Sequence, residues 1–282
     1  ASVNDGSFGA NGNEGDSPFR TYGVGCCGFF TPTYWLTNTF KTDAAGLPDA
    51  SPYTSSVMDP FSQAGLTQYA GNVDIRLDWT AGRIGVPFYD WGIPNTSWTF
   101  DIGAGPFHSK KNTIRKSQLG AAYEQSFWST AAVTSQNINL IRFADVILLL
   151  AEAEVEVGSL PNAFALVNRI RNRAKNSRVV SFSSSLGTPK TEPYATMFAS
   201  QDQARAAVRY ERKLELAMEG HRFFDLVRWG AATTELNAFY NYESSLPYQT
   251  DLIPKPVYTS AKDYYPIPQQ QIDLSKGLLK QN

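Results

Sequence analysis

Two cysteines, two histidines and no apolar run of membrane length are what this 282-residue chain offers. Each shortage excludes something. Zinc sites draw on Cys and His at short spacings, yet His108 and His221 are far apart and the only cysteines are the neighbours Cys26 and Cys27. No Asp-rich loop of the EF-hand type occurs. Neither a metal nor a cofactor is therefore expected. The run VILLLA from Val146 is far short of the roughly 20 apolar residues of a membrane helix. Basic residues number 25 against 26 acids, a net charge of −1 that gives nucleic acid no attraction. No G-x-S-x-G elbow is present, and neither His stands in a Ser or Cys context that suggests nucleophilic catalysis.

Rings are what the chain has. Aromatics make up 13% of residues and charged groups only 18%, which fits a folded recognition protein rather than a disordered one. The length suffices for one large domain or two small ones. Residues 2–16 are Gly, Asn, Asp and Ser and read as a loop. Residues 1–136 as a whole are loop-rich and ring-rich. Within them Thr31-Pro32 predicts a helix start, with Thr31 as cap, and Gly46-Leu47-Pro48 its end. Pro87 and Pro94 argue against a central strand between 73 and 102.

From Asn137 the apolar period becomes helical, and residues 137–282 read as a helical core. Leu140, Ile141, Ala144, Ile147, Leu148, Ala151 and Val155 share a face that Gly158 ends. Ser159 then caps a second helix, with Phe164, Val167 and Ile170 inward and Arg169, Arg171 and Arg173 outward. The spacing Gly158, Ala163, Val167, Ile170 is similar to a tetratricopeptide hairpin, which cannot bury its stripe alone. Ser200 and Gln203 form a capping box for a further helix. Its continuation, RYERKLELAMEGHRFFDLVRWG from Arg209, mixes charge with rings. It predicts two helices joined at Gly220, with ionised groups partly buried and paired across them. Loss of Glu215 or Arg222 is then expected to unfold the chain, since a lone buried charge costs about 3–5 kcal/mol.

That string resembles the signature of the SusD/RagB family. So do PTYWLTNTFKTDAAGLP from Pro32, RLDWTAGRIGVPFYDWG from Arg76, LIRFADVILLLAEAEVEVGSLPNAFALVNRIRNRA from Leu140 and the closing YYPIPQQQIDLSKGLLKQN. One departure is Asp74-Ile75-Arg76-Leu77, where the family pattern has a turn proline at the second position. The resemblance implies a mainly α, SusD-like fold with tetratricopeptide-like helix pairs, long irregular loops and few short strands. It implies a lipid-anchored protein of the outer-membrane surface that binds a polysaccharide or oligosaccharide without catalysis. A SusC-like TonB-dependent transporter would be its partner. The start ASVNDGSFGANGNEG has neither a signal peptide's features nor a lipidated Cys. The matched segments belong to the family's second half, so the chain is expected to be a C-terminal portion of one SusD/RagB domain.

Within that reading the loop aromatics are the candidate ligand contacts, because sugars present apolar C–H faces and loops on a scaffold carry sites. They are Tyr22 with Arg20, Tyr89 and Trp91 in PFYDWG, and Trp98. Any one of them would equally serve as packing under a loop. Trp35, Trp79 and Trp229 are assigned to the core. Cys26-Cys27, flanked by Gly25 and Gly28, is either two reduced thiols or a strained vicinal disulfide, since neighbouring Cα atoms lie about 3.8 Å apart. Two rival readings are a glycoside hydrolase and a tetratricopeptide adaptor. The hydrolase needs two facing carboxyls, for which Asp78 with Asp90 and Asp74 with Asp101 are the nameable pairs.

Overall fold

The structure is a computed structural model that describes residues 31–58, 66–95, 98, 106–111, 113, 115–118, 123–124, 133–134, 139–180, 186–246 and 254–281. It is helix-dominated, as the sequence predicts. In chain order come α1 (Tyr34–Thr39), β1 (Ser56–Val57), β2 (Thr67–Gln68), β3 (Asn72–Val73), α2 (Leu77–Thr80), β4 (Ala81–Gly82) and β5 (His108–Ser109). There follow β6 (Tyr123–Glu124), β7 (Val133–Thr134), α3 (Phe143–Glu156), α4 (Leu160–Lys175), β8 (Thr188–Pro189) and α5 (Gln201–Glu215). The last helices are α6 (His221–Arg228), α7 (Ala232–Glu243) and α8 (Gln269–Leu274). Strands among the described residues pair only in twos. β1–β2 and β3–β8 are parallel, β4–β5 and β6–β7 antiparallel. By internal contacts the chain divides at Gly220 into two compact units. No helix among the described residues is long and apolar enough to cross a membrane.

The first unit is organised by α3, α4 and α5. Their small and branched residues meet in one cluster of Ala151, Val155, Ala163, Val167, Ala204 and Val208, closed by Phe198. Alanine at three of these contacts lets the backbones approach closely. The turn from α3 to α4 is the one expected, with Gly158 at φ +81° and Ser159 N–H returning to the Glu154 carbonyl at 2.8 Å. Two details differ. Leu140 and Ile141 precede α3 and are exposed, and the helix's other face leaves Phe143, Leu149, Leu150 and Val157 exposed too. Ser159 makes no side-chain cap, whereas Ser200 Oγ accepts from Gln203 N–H at 3.2 Å and Gln203 reaches back to Ala199 N–H. At α1 the cap is Thr33, two residues later than predicted, because its hydroxyl accepts from Leu36 N–H. That helix closes at Thr39, before the Gly46 turn.

Arg171 is the largest correction. Placed outward by helical spacing, it is 0% exposed. Its guanidinium donates to Glu211 at 2.9 Å, to the Gly46 carbonyl at 2.9 Å and to the Glu192 carbonyl at 2.7 Å. Glu211 and Glu215 lie one turn apart on α5, and their mutual repulsion needs cations. Arg76 supplies one to both, at 2.6 and 3.1 Å, while Asp74 holds its far edge at 2.9 and 2.8 Å. The acids of α5 thus pair with arginines from distant segments of the first unit.

The second unit is built on α6 and α7. Leu226, Ala232 and Tyr258 form its core, with Phe223, Val227 and Leu236 packed around them. Asn237 and Tyr258 exchange two bonds, side-chain amide to backbone, each 2.9 Å. Among its contacts here, Arg222 makes a part-exposed pair with Glu235 at 3.2 Å. Arg171→Ala should cost about 3–5 kcal/mol, because Glu211 loses a fully buried partner. Arg222→Ala should cost about 1 kcal/mol or less, as screened pairs do. Urea unfolding of the two variants checks this, and equal losses would contradict it.

Candidate functional site

The first unit carries a pocket of about 490 Å³. Its walls come from Arg76 just before α2, Trp79 and Thr80 on α2, Lys111, Arg142 just before α3, Arg173 on α4 and the end of α5 with the turn beyond it. That turn places Met218 at φ +63° and Gly220 at φ +83°, so the chain doubles back and Glu219 faces the pocket beside Glu215. Arg142 locks both acids. It grips Glu219 in a two-point contact at 2.7 and 2.8 Å and reaches Glu215 at 3.1 Å. Lys111 adds bonds to Glu219 at 2.6 Å and to the Glu215 carbonyl at 2.8 Å. Arg173 bonds Glu215 from the solvent side.

The charges decide what these acids can do. Burial alone would raise the Glu215 pKa; the Arg76, Arg173 and Arg142 guanidiniums outweigh it and hold the carboxyl below its ordinary value. Asp74 behaves alike, burial being overcome by Arg76. Both remain carboxylates at neutral pH. The acid pairs named for a hydrolase are otherwise engaged. Asp78 holds Arg83 in a two-point contact at 2.7 and 3.0 Å, and Asp90 accepts from Lys116 N–H and Ser117 N–H. Asp101 lies outside the described residues. Among those residues no group of three or more His, Cys, Asp or Glu is placed to hold a metal ion.

Beside the pocket stands the ring-rich loop 85–95. It is closed by Gly85 N–H to the Pro94 carbonyl at 3.1 Å and Phe88 N–H to the Gly92 carbonyl at 2.8 Å. Tyr89 has φ +50°, a left-handed conformation unusual for an aromatic residue. Its hydroxyl donates to the Lys110 carbonyl at 2.8 Å and Arg115 lies over its ring. The Lys110 ammonium is buried under the Trp79, Phe88 and Tyr89 rings, donating to the Asp78 and Pro87 carbonyls at 2.6 and 3.0 Å. Burial lowers its pKa to about 8. Gly82 is needed beneath, since a Cβ there would stand 2.3 Å from the Phe88 ring.

Of the rings singled out in the sequence, Tyr89 and Trp91 sit together, half-buried, on this loop. Trp98 is 5% exposed and packs on Phe88 and His108. Arg20, Tyr22, Cys26 and Cys27 lie outside the described residues. Trp79, assigned to the core, is instead a pocket wall and lies 6.3 Å from the Tyr89 ring, so pocket and loop adjoin. Trp35 is half-buried as well, stacked flat on Tyr53.

The SusD family matches residues 2–282. This chain belongs to that family. Two SusD-like proteins of Formosa agariphila are 34% and 36% identical to it over 118 and 101 residues, or 40% and 36% of this chain. Those stretches make up 20% and 18% of the relatives, so the chain matches about a fifth of their length. A SusD superfamily protein from Bacteroides vulgatus superposes over 91% of this chain and 45% of its own, with a TM-score of 0.56 at 20% identity. A SusD-like protein from Bacteroides fragilis gives 0.53 at 21%, over 89% and 46%. These likenesses establish the fold. The family's expected turn proline is replaced by Ile75, yet the turn forms, because Asp74 Oδ1 accepts from Arg76 N–H at 3.0 Å.

Sequence reading missed Arg142, Lys111 and Trp79 as pocket residues. Its one usable signal was the pair Glu211 and Glu215, whose four-residue spacing on a partly buried helix demands cations from elsewhere. His108 generates a pH prediction. Burial among the Phe88 and Trp98 rings lowers its pKa from 6.5 to about 4, so the fold holds it neutral while the unfolded chain protonates. Stability should therefore fall as pH drops from 6.5 toward 4, by up to about 3 kcal/mol. His108→Phe should flatten that part of the profile in urea titrations. The further loss below the ordinary carboxylate pKa, where Asp74 and Glu215 protonate, should remain.

Proposed function

We propose that this SusD-family chain takes part in non-catalytic capture of a glycan at the outer-membrane surface, within a lipid-anchored protein that passes its cargo to a SusC-like TonB-dependent transporter. The observation that carries this reading is the family match over residues 2–282. The site agrees with it. Sugar rings stack on aromatic faces and need polar groups at their rim. Tyr89, Trp91 and Trp79 supply faces, and Arg115 and the pocket cations supply the rim. Trp98 acts from behind, bracing Phe88 under the loop. Arg20 and Tyr22 are further contacts in this proposal, and a Cys26–Cys27 bond would stiffen the loop that bears them.

The hydrolase reading has less support. A glycosidase acid must hold its proton near neutral pH, through a raised pKa. Glu215 is shifted the other way, and three arginines share it. Trp91→Ala should weaken retention in glycan-containing native gels about tenfold, the loss of one stacking contact of roughly 1.4 kcal/mol. Phe224→Ala, at an exposed ring of the second unit, should change nothing. Sustained release of reducing ends from any polysaccharide by the unmodified protein would overturn the proposal. Equal retention of wild type and Trp91→Ala would remove the loop from the site.

A further inference from the structure

The charges around the pocket do not cancel. Arg76, Arg171, Arg142, Arg173 and Lys111 meet four carboxylates, those of Asp74, Glu211, Glu215 and Glu219. One positive charge is left over, and its place is legible from the bonds. Arg76 and Arg171 are buried and spend their donors inward. Arg142 spends its fork on Glu219 and Glu215. Arg173 is different. Its side chain is 54% exposed, and it gives a single bond, from Nη2 to Glu215, among the described residues. Its Nε and Nη1 are thus open on the pocket wall. Lys111 Nζ likewise gives two bonds of the three an ammonium can give.

Two further wall residues point to a ligand. Thr80 is 1% exposed, lines the pocket, and its hydroxyl has no hydrogen-bond partner among the described residues. Buried hydroxyls are ordinarily satisfied. Trp79 offers a half-buried indole on the same wall, its N–H donating to the Arg178 carbonyl at 2.9 Å. A flat apolar face therefore adjoins a cation with free, planar donors, next to a hydroxyl that needs a partner. A neutral sugar could meet the cation through a hydroxyl but would bring no charge to offset it.

We infer that the pocket selects an acidic glycan unit, a sugar bearing a fixed anion, with its C–H face on Trp79 and its carboxylate or sulfate ester on Arg173 and Lys111. An arginine fork suits either oxyanion in a two-point contact. The inference rests on the glycan-capture reading and narrows its cargo. The chain's net charge of −1 works against general attraction of polyanions, so retention by an acidic polymer would report a local site.

The test is retention in native gels containing polygalacturonate, the same polymer with its carboxyls reduced to alcohols, a sulfated galactan, and its desulfated form. Wild type should be retained by at least one of the acidic polymers, and about tenfold less by its neutral counterpart. Arg173→Ala should lose that preference, and Arg173→Lys should recover part of it. Arg173 is half-exposed and Glu215 keeps Arg76 and Arg142, so Arg173→Ala should melt normally. Arg169→Ala, exposed outside the pocket, should behave as wild type. The two acidic arms separate carboxylate from sulfate. Equal retention on acidic and neutral partners, or acidic preference surviving in Arg173→Ala, overturns this inference while glycan capture stands. No retention on any polymer, acidic or neutral, counts against both.

Discussion

Arg76 is the constraint on which the first unit depends. One guanidinium bonds three carboxylates from two places in the chain, Asp74 beside it and Glu211 and Glu215 on α5. Without it α5 would bury two like charges one turn apart, which no packing of alanines offsets. Arg171 completes the set from α4 and ties the Gly46 turn to it. Segments near residues 46, 75, 171 and 213 therefore meet at one place. Such a network is satisfied only when all its members arrive, which favours cooperative over piecemeal formation of this unit. Its interior function is specificity of arrangement. Its outer rim, where Arg142, Lys111 and Arg173 reach the same acids, is the pocket.

Architecture was legible wherever one local rule decided it. Gly158 ends α3 because only a left-handed residue reverses the chain there, and Ser200 with Gln203 marks the start of α5 from sequence alone. The helical period located α3, α4 and α5 with errors confined to their ends. The charged face of α4 was misread for a physical reason. Helical spacing put Arg171 among polar positions, and nothing nearby in the sequence announces Glu211, forty residues on. The same limit hid the pocket. Trp79 looked like a core ring in a strand-like run, yet the four-residue helix α2 turns it outward. Tyr89 and Trp91 were found because turn signals and ring density coincide in one short segment. Trp98, seven residues past Trp91, was read alike and lies buried, since only the packing of Phe88 and His108 distinguishes the two.

Two kinds of buried cation serve different ends here. Arginines take the carboxylates, where planar forks match two oxygens at once. Lys41 and Lys110 take carbonyls and rings, while Lys111 joins the carboxylates through Glu219. Lys41 ends on the Pro52 carbonyl, the Thr54 hydroxyl and the Ser56 carbonyl, and Lys110 on the Asp78 and Pro87 carbonyls beneath three rings. Burial brings the pKa of each of these two lysines to about 8. Asp78 serves twice beneath the loop, its carbonyl holding Lys110 and its side chain holding Arg83.

Met218 adopts a left-handed conformation that glycine would enter freely and that costs an ordinary residue about 1–2 kcal/mol. The residue next to it, Glu219, follows directly from that twist in the chain and lines the pocket. An engineer seeking a hardier variant would replace Met218 by glycine and relieve the strain. The same exchange would strip a thioether from the pocket lining and loosen the aim of a carboxylate that two cations share. Durability and a well-defined cargo site pull in opposite directions at this one position.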